Sequence, residues 1–124
     1  IPRTYADDLD PLDVLVICDE PIVPLTLVQC YPIGVINMLD NGYNDEKIIA
    51  IPFSDPVYNV NQSIRDLPAH IFNEMAHFFT VYKQLEDKTT AVEPVQDRAE
   101  AVEIIRKAIW NYQQVFADRV KGCT

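Results

Sequence analysis

The densest chemistry lies near the start of the chain, in Asp7-Asp8-Leu9-Asp10-Pro11-Leu12-Asp13, directly ahead of the apolar run Val14 to Cys18. In extended backbone Asp8 and Asp10 share a face, and a turn at Pro11 can bring Asp13 toward them. Carboxylates gathered without nearby Lys or Arg repel one another and raise their own pKa values, so such a group is stable when it holds hard cations. The same pattern also describes a solvated acidic turn, because Asp-Pro is a common turn pair. A second acidic segment, Asp40 to Lys47, contains the hairpin signal Asn41-Gly42 and by itself reads as a surface turn. The two segments carry more together. If the strand after the first and the strand before the second are near neighbours, Asp8, Asp10, Asp13, Asp40 and Asp45 converge at one end of a sheet, with Lys47 beside them. Further on, Tyr82-Lys83 taken alone is an apolar-stripe residue followed by a solvated lysine. His77 has no second His or Cys at ligand spacing, so its default role is packing or subunit contact. Trp110 and the aromatics of the last helix read as core.

The elements that must position these residues fall into two halves. Val14 to Cys18 reads as a strand, and Pro21 and Pro24 end it. Thr26 to Met38 is a second extended stretch, with Pro32 and Gly34 marking a bend or bulge. Asp40 to Asp45 is then a loop, and Lys47 to Phe53 the returning strand of a hairpin. Beyond Asp66, a candidate N-cap, and Pro68 in a first turn, the residues Ile71, Phe72, Met75, Phe78, Phe79, Tyr82 and Leu85 recur at helical spacing. A polar connection from Glu86 to about Gln96 leads to a second helix, through Val102, Ile105, Ile109, Tyr112 and Phe116. Strands first and helices after indicate an α+β fold.

With 124 residues, 48% of them hydrophobic, the chain suits one globular domain with a modest core. A formal charge of -9 repels nucleic acid and anionic membrane surfaces, so neither is an expected partner. It also means that a polyanionic substrate can be held only with cations between it and the acids. Cys18, Cys30 and Cys123 form an odd, unpaired set, which suits a reducing intracellular compartment. No stretch approaches the ~18 apolar residues of a membrane span and no signal peptide opens the sequence, so a soluble, cytoplasmic protein is expected.

Asp8-Leu9-Asp10-Pro11-Leu12-Asp13-Val14-Leu15-Val16 closely resembles the signature of the family I soluble inorganic pyrophosphatases. Further agreement follows in order: Ile1-Pro2-Arg3-Thr4 ahead of the signature, Pro32-Ile33-Gly34-Val35, Met38-Leu39-Asp40, Asp45-Glu46-Lys47-Ile48-Ile49-Ala50-Ile51, then His77-Phe78-Phe79 leading to Tyr82-Lys83. The likeness runs over most of residues 1 to 87, weakens in the final helix, and in its details looks nearest to eukaryotic, plant-like or archaeal members.

The resemblance implies hydrolysis of inorganic pyrophosphate to two orthophosphates at a site holding several Mg²⁺ ions, with Mn²⁺ or other divalent cations as substitutes. It implies that Asp8, Asp13 and Asp45 hold the tightest metal, that Asp13 touches a second, and that Asp40 and Asp45 bind one arriving with substrate. Asp10 would be the base for the attacking water, and Lys47, Tyr82 and Lys83 would hold phosphate. Leu9 departs from the family, standing where a small residue is usual, and Asn41 stands where an acid is frequent. The implied fold is an OB-like antiparallel β-barrel with two flanking C-terminal helices. It is incomplete here, because family members carry a portion ahead of the Ile-Pro-Arg-Thr-like segment. The chain then reads as a single domain, residues 1-124, forming the C-terminal portion of the catalytic domain. By itself it is expected to bind metal but turn over slowly, and to self-associate as a homo-oligomer through exposed sheet edges.

Three other readings compete. An EF-hand register from Asp8 needs Gly and Glu where Asp13 and Asp19 stand, and so fails. An aspartyl phosphatase places its acids after a strand, whereas here the strand follows them. A non-catalytic Mg²⁺ and phosphate-binding fragment is the remaining alternative.

Overall fold

A computed structural model describes residues 1–87 and 90–118; Cys123 lies outside them. Its frame is an open, five-stranded mixed sheet between two helices. Strands β1 (Asp13–Val16), β2 (Cys30–Asp40) and β3 (Tyr43–Pro52) precede helix α1 (Ala69–Leu85); short strands β4 (Thr90–Val92) and β5 (Gln96–Asp97) precede helix α2 (Arg98–Val115). The main path runs β1-β3-β2-β4, with β5 also pairing with β2. The α+β architecture and the incomplete barrel agree with the sequence expectation, since the sheet does not close.

Its antiparallel character needs one correction. β2 and β3 form an antiparallel hairpin, but β1 pairs with β3 in parallel, placing Asp13 against Lys47 and Val16 against Ala50. A parallel pair requires a crossover, and the chain leaves β1, runs through the exposed 19–29 arm and crosses β2 before arriving at β3.

Other boundaries also move. Asn41 and Gly42 alone make the hairpin turn, each at positive φ (51° and 84°), so Asp40 and Asp45 sit in strands and not in a loop. Thr26 to Gln29 lies outside β2, although the sequence reads it as strand. The polar connection supplies β4 and β5, because β2 offers its second edge there: Met38 pairs with Val92, and Gly34 with Asp97. Asp66 closes a short 3-10 turn capped by Ser63, and α1 begins after Pro68.

Two cores form, one on each face of the sheet. Ile33, Ile36, Met38, Ile49 and Ile51 pack against Phe72 and Phe79 of α1. On the opposite face Leu12, Val35, Ile48 and Ala50 meet Ala101 and Ala108 of α2. Small alanines bring α2 close to the sheet, while Ile109 and Trp110 point outward, 59% exposed in the case of Trp110. The expectation of a core Trp110 is therefore wrong, as is the inward stripe through Phe78, Tyr82 and Leu85, all exposed.

β2 keeps its faces in step with β3 through a bulge between Pro32 and Gly34, where the register shifts by one residue. Gly34 is required at this point. A Cβ there would stand 2.4 Å from Ile64 Cγ2 and 2.7 Å from the carbonyl oxygen of Gln96, and the carbonyl belongs to paired backbone. Gly34→Ala should lower unfolding stability by ~1–3 kcal/mol, measured by urea titration; an unchanged midpoint would mean that β5 yields freely.

Candidate active site

The site forms where the α1-side core runs out at one end of the sheet. Residues two apart on a strand share a face, so Asp45 and Lys47 follow Ile49 and Ile51 on β3, Asp40 follows Met38 on β2, and Asp13 precedes Leu15 on β1, all toward α1. On the helix, Lys83 lies one turn beyond Phe79, so it too faces the sheet and is buried. The parallel β1–β3 pairing is what unites the acidic segments: the entry of β1 lies beside the entry of β3, and the hairpin turn brings the end of β2 there as well.

The carboxylates and ammoniums form one network. Lys47 Nζ donates to Asp13 Oδ2 at 2.5 Å and to Asp45 Oδ1 at 2.9 Å. Lys83 Nζ donates to Asp40 Oδ2 at 2.8 Å and lies 3.6 Å from Asp45 Oδ2. Lys47 also rests over the ring of Phe79, 5.9 Å from its centroid. Burial favours loss of the Lys47 proton, but hydrogen bonds to Asp13 and Asp45 outweigh it and raise the pKa. Lys83 is likewise raised, chiefly by its bond to Asp40.

The loop ahead of β1 is held by buried Thr4, whose Oγ1 accepts from the Leu12 N–H at 2.9 Å, and by a turn in which Ala6 N donates to Asp10 O at 2.9 Å. Asp10 N donates to Asp8 Oδ1 at 3.2 Å, and the Asp10 side chain is exposed. Desolvation raises the Asp8 pKa, and repulsion from Asp45, Asp10 and Asp13 adds to it. Leu9 has a φ of 69°, in the left-handed region that favours glycine, and a branched residue there stores about 1–2 kcal/mol of backbone strain.

The structure thus gathers Asp13, Asp40, Asp45, Lys47 and Lys83, with Asp8 and Asp10 on the adjoining loop. Tyr82 stands apart, 47% exposed and stacked on Phe78 with centroids 5.9 Å apart. One participant escapes a reading of the sequence: Phe79, beneath Lys47, is hidden within a run of aromatics. Glu46, between Asp45 and Lys47, lies on the opposite face of β3 and outside the network, its pKa raised by burial and by Asp7. The period-two alternation after Asp45 could have separated Glu46 from the site.

Among the described residues no three His, Cys, Asp or Glu side chains stand positioned to close on a metal ion, and Lys47 and Lys83 bind carboxylate oxygens of Asp13, Asp40 and Asp45. The donor chemistry nevertheless fits a hard divalent cation: the candidate groups are all carboxylate oxygens, come from three strands and one loop, and repel one another at Asp8.

The inorganic pyrophosphatase family model matches residues 1–113, so the likeness extends well into α2. The inorganic pyrophosphatase of Synechocystis is 42% identical over 91% of this chain and 67% of its own length; that of Caulobacter vibrioides is 43% identical over 94% and 67%. Soluble inorganic pyrophosphatase 2 of Chlamydomonas reinhardtii is 39% identical, so bacterial relatives match at least as well as a plant-like one. The solved Helicobacter pylori inorganic pyrophosphatase superposes with a TM-score of 0.86 at 36% identity, over 91% of this chain and 68% of that one. Fold and acidic cluster therefore define the class, a metal-dependent hydrolase. Within that class the chain belongs to the inorganic pyrophosphatase family, and it spans about two thirds of the length of the relatives named here.

Proposed function

We propose that Asp8, Asp13 and Asp45 hold the principal Mg²⁺, that Asp13 also touches a second ion and that Asp40 and Asp45 receive a further one, in the hydrolysis of pyrophosphate to two orthophosphates that the family carries out. The observation that supports this reading is the meeting of Asp13, Asp40, Asp45, Lys47 and Lys83, drawn from three strands and a helix, on one rim of the sheet. When bound, divalent cations neutralise the substrate and acidify the attacking water.

The remaining work falls to the chain. Asp10, exposed and anchored through its backbone to Asp8, accepts the proton of the attacking water as general base. Lys47 and Lys83 supply positive charge where negative charge gathers on the leaving phosphate, and the Tyr82 hydroxyl donates from the outer side. Mn²⁺ serves as substitute ion because the ligands are hard oxygens.

Asp45 tests the reading, being shared between ions. Asp45→Asn should lower steady-state phosphate release, with part of the activity returning at high Mg²⁺. An unaltered Mg²⁺ dependence would refute the assignment.

The chain is proposed to form the C-terminal portion of the family's catalytic domain and to act in the cytoplasm. The free thiols of Cys18 and Cys30 support a reducing setting, and among the described residues no helix is long and apolar enough to cross a membrane. Self-association is proposed too, supported by β1 at the sheet edge and by Val23, Leu25 and Leu27, at least 74% exposed on one arm.

A further inference from the structure

Lys47 and Lys83 have two roles that exclude each other. Holding phosphate requires their ammoniums to face substrate, yet here both bind carboxylates assigned to cations. Lys83 reaches Asp40 at 2.8 Å and Asp45 at 3.6 Å, and Lys47 reaches Asp13 and Asp45. Both lysine side chains are nearly buried, 12% exposed for Lys47 and 11% for Lys83, as is Asp45 at 11%. A buried carboxylate without a counter-charge is strongly unfavourable, so some cation must stand against Asp45 at all times.

We infer that Lys83, assisted by Lys47, is a resident counter-ion that keeps the Asp40–Asp45 site folded before metal arrives, and that metal loading releases its ammonium for substrate. This inference rests on the proposed metal assignment of Asp40 and Asp45. It makes binding of metal and readiness for phosphate a single event. Before loading, the ammoniums are engaged with acids and the rim repels a polyanion; after loading, the acids are neutralised and the two lysines are available. The Lys47 ammonium also lies over the ring of Phe79, so its stem is packed against α1 while its charge faces the acids. Lys83 is at the C-terminal end of α1, two residues before its last residue Leu85, so a change of side-chain rotamer there needs no movement of the sheet.

The test is binding of Mn²⁺ alone, without phosphate, by calorimetry on the full chain. Lys83→Met removes the competing ammonium, and its Mn²⁺ dissociation constant should fall about tenfold or more, the equivalent of one charge-assisted hydrogen bond. Its metal-free form should be less stable than wild type and recover with Mn²⁺. An equal or weaker affinity would overturn the inference. Asp45→Asn separates the two levels: if it leaves wild-type Mn²⁺ binding unchanged, the metal assignment itself fails, whereas weakened binding there with no gain in Lys83→Met rejects only the counter-ion role. Should Lys83→Met not fold, lysine ammonium NMR on wild type decides. The Lys83 Nζ resonance, protected from exchange without metal, should lose protection on adding Mg²⁺; persistence of that protection would reject the release.

Discussion

Asp10→Asn should reduce pyrophosphate turnover by about 10²–10⁴-fold, the range for loss of a positioned general base, while Mg²⁺ affinity stays within a few-fold of wild type. The separation follows from where Asp10 sits. Its side chain is exposed and makes none of the contacts that tie Asp13, Asp40 and Asp45 to the lysines, and its backbone N–H, which the substitution keeps, anchors Asp8. A conservative amide therefore removes a proton acceptor without disturbing the loop. Phosphate release and metal titration on the same preparation check the expectation. A parallel fall in rate and in metal affinity would make Asp10 a ligand instead.

Asp55→Asn should produce the largest loss of stability, although it lies far from the chemistry. The Asp55 carboxylate is 7% exposed and accepts three backbone N–H groups: Asp19 at 2.8 Å through Oδ2, and Val57 at 3.0 Å and Tyr58 at 2.8 Å through Oδ1. An amide presents an NH₂ to one of those donors, so the exposed arm after β1 loses its anchor or the Tyr58 turn opens. A fall in Tm of about 10 °C or more is expected from one or more orphaned buried donors. The pH dependence has a definite sign. These bonds, led by that from Asp19, hold the Asp55 pKa below its ordinary 3.8, so the unfolded chain takes up the proton first. The stabilisation is complete above pH 3.8 and is lost as pH falls through the lower folded value. Wild type and Asp55→Asn should consequently differ most near neutrality and converge in acid, as urea midpoints at pH 6 and pH 3 would reveal. A gap that is constant with pH would detach the effect from the carboxylate's charge.

Much of the site was legible in the sequence because its acids are local. Asp8 to Asp13 and Asp40 to Lys47 are dense clusters, and alternation on a strand is enough to put Asp45 and Lys47 on one face. What carried them together was not legible. The parallel pairing of β1 with β3 depends on a crossover through an arm that a linear reading takes as loop up to Pro24 and as strand from Thr26, whereas Val23, Leu25 and Leu27 are all exposed in the fold. Lys83 illustrates the same limit. Charge predicts a solvated residue, and only the position of Asp40 and Asp45 opposite α1 makes burial tolerable. In α2 the large side chains dominate the helical period, but Ala101 and Ala108 line the contact, since it is closeness to the sheet and not bulk that α2 contributes.

The bulge in β2 bears on how such a chain can change length. β3 runs through it without interruption, pairing Gly34 with Ile49 and Pro32 with Ala50, so Ile33 is one residue more than the ladder needs. A deletion at Ile33 would sacrifice a buried side chain yet leave Tyr31 opposite Ile51 and Asp40 opposite Tyr43, each still on its own face. A single insertion between Asn41 and Gly42 has no such outlet. It must either distort the turn or slip the ladder, and a slip of one residue turns Asp40 away from Lys83. Insertions and deletions in this hairpin are therefore absorbed at one end and disruptive at the other, with every acidic residue unaltered.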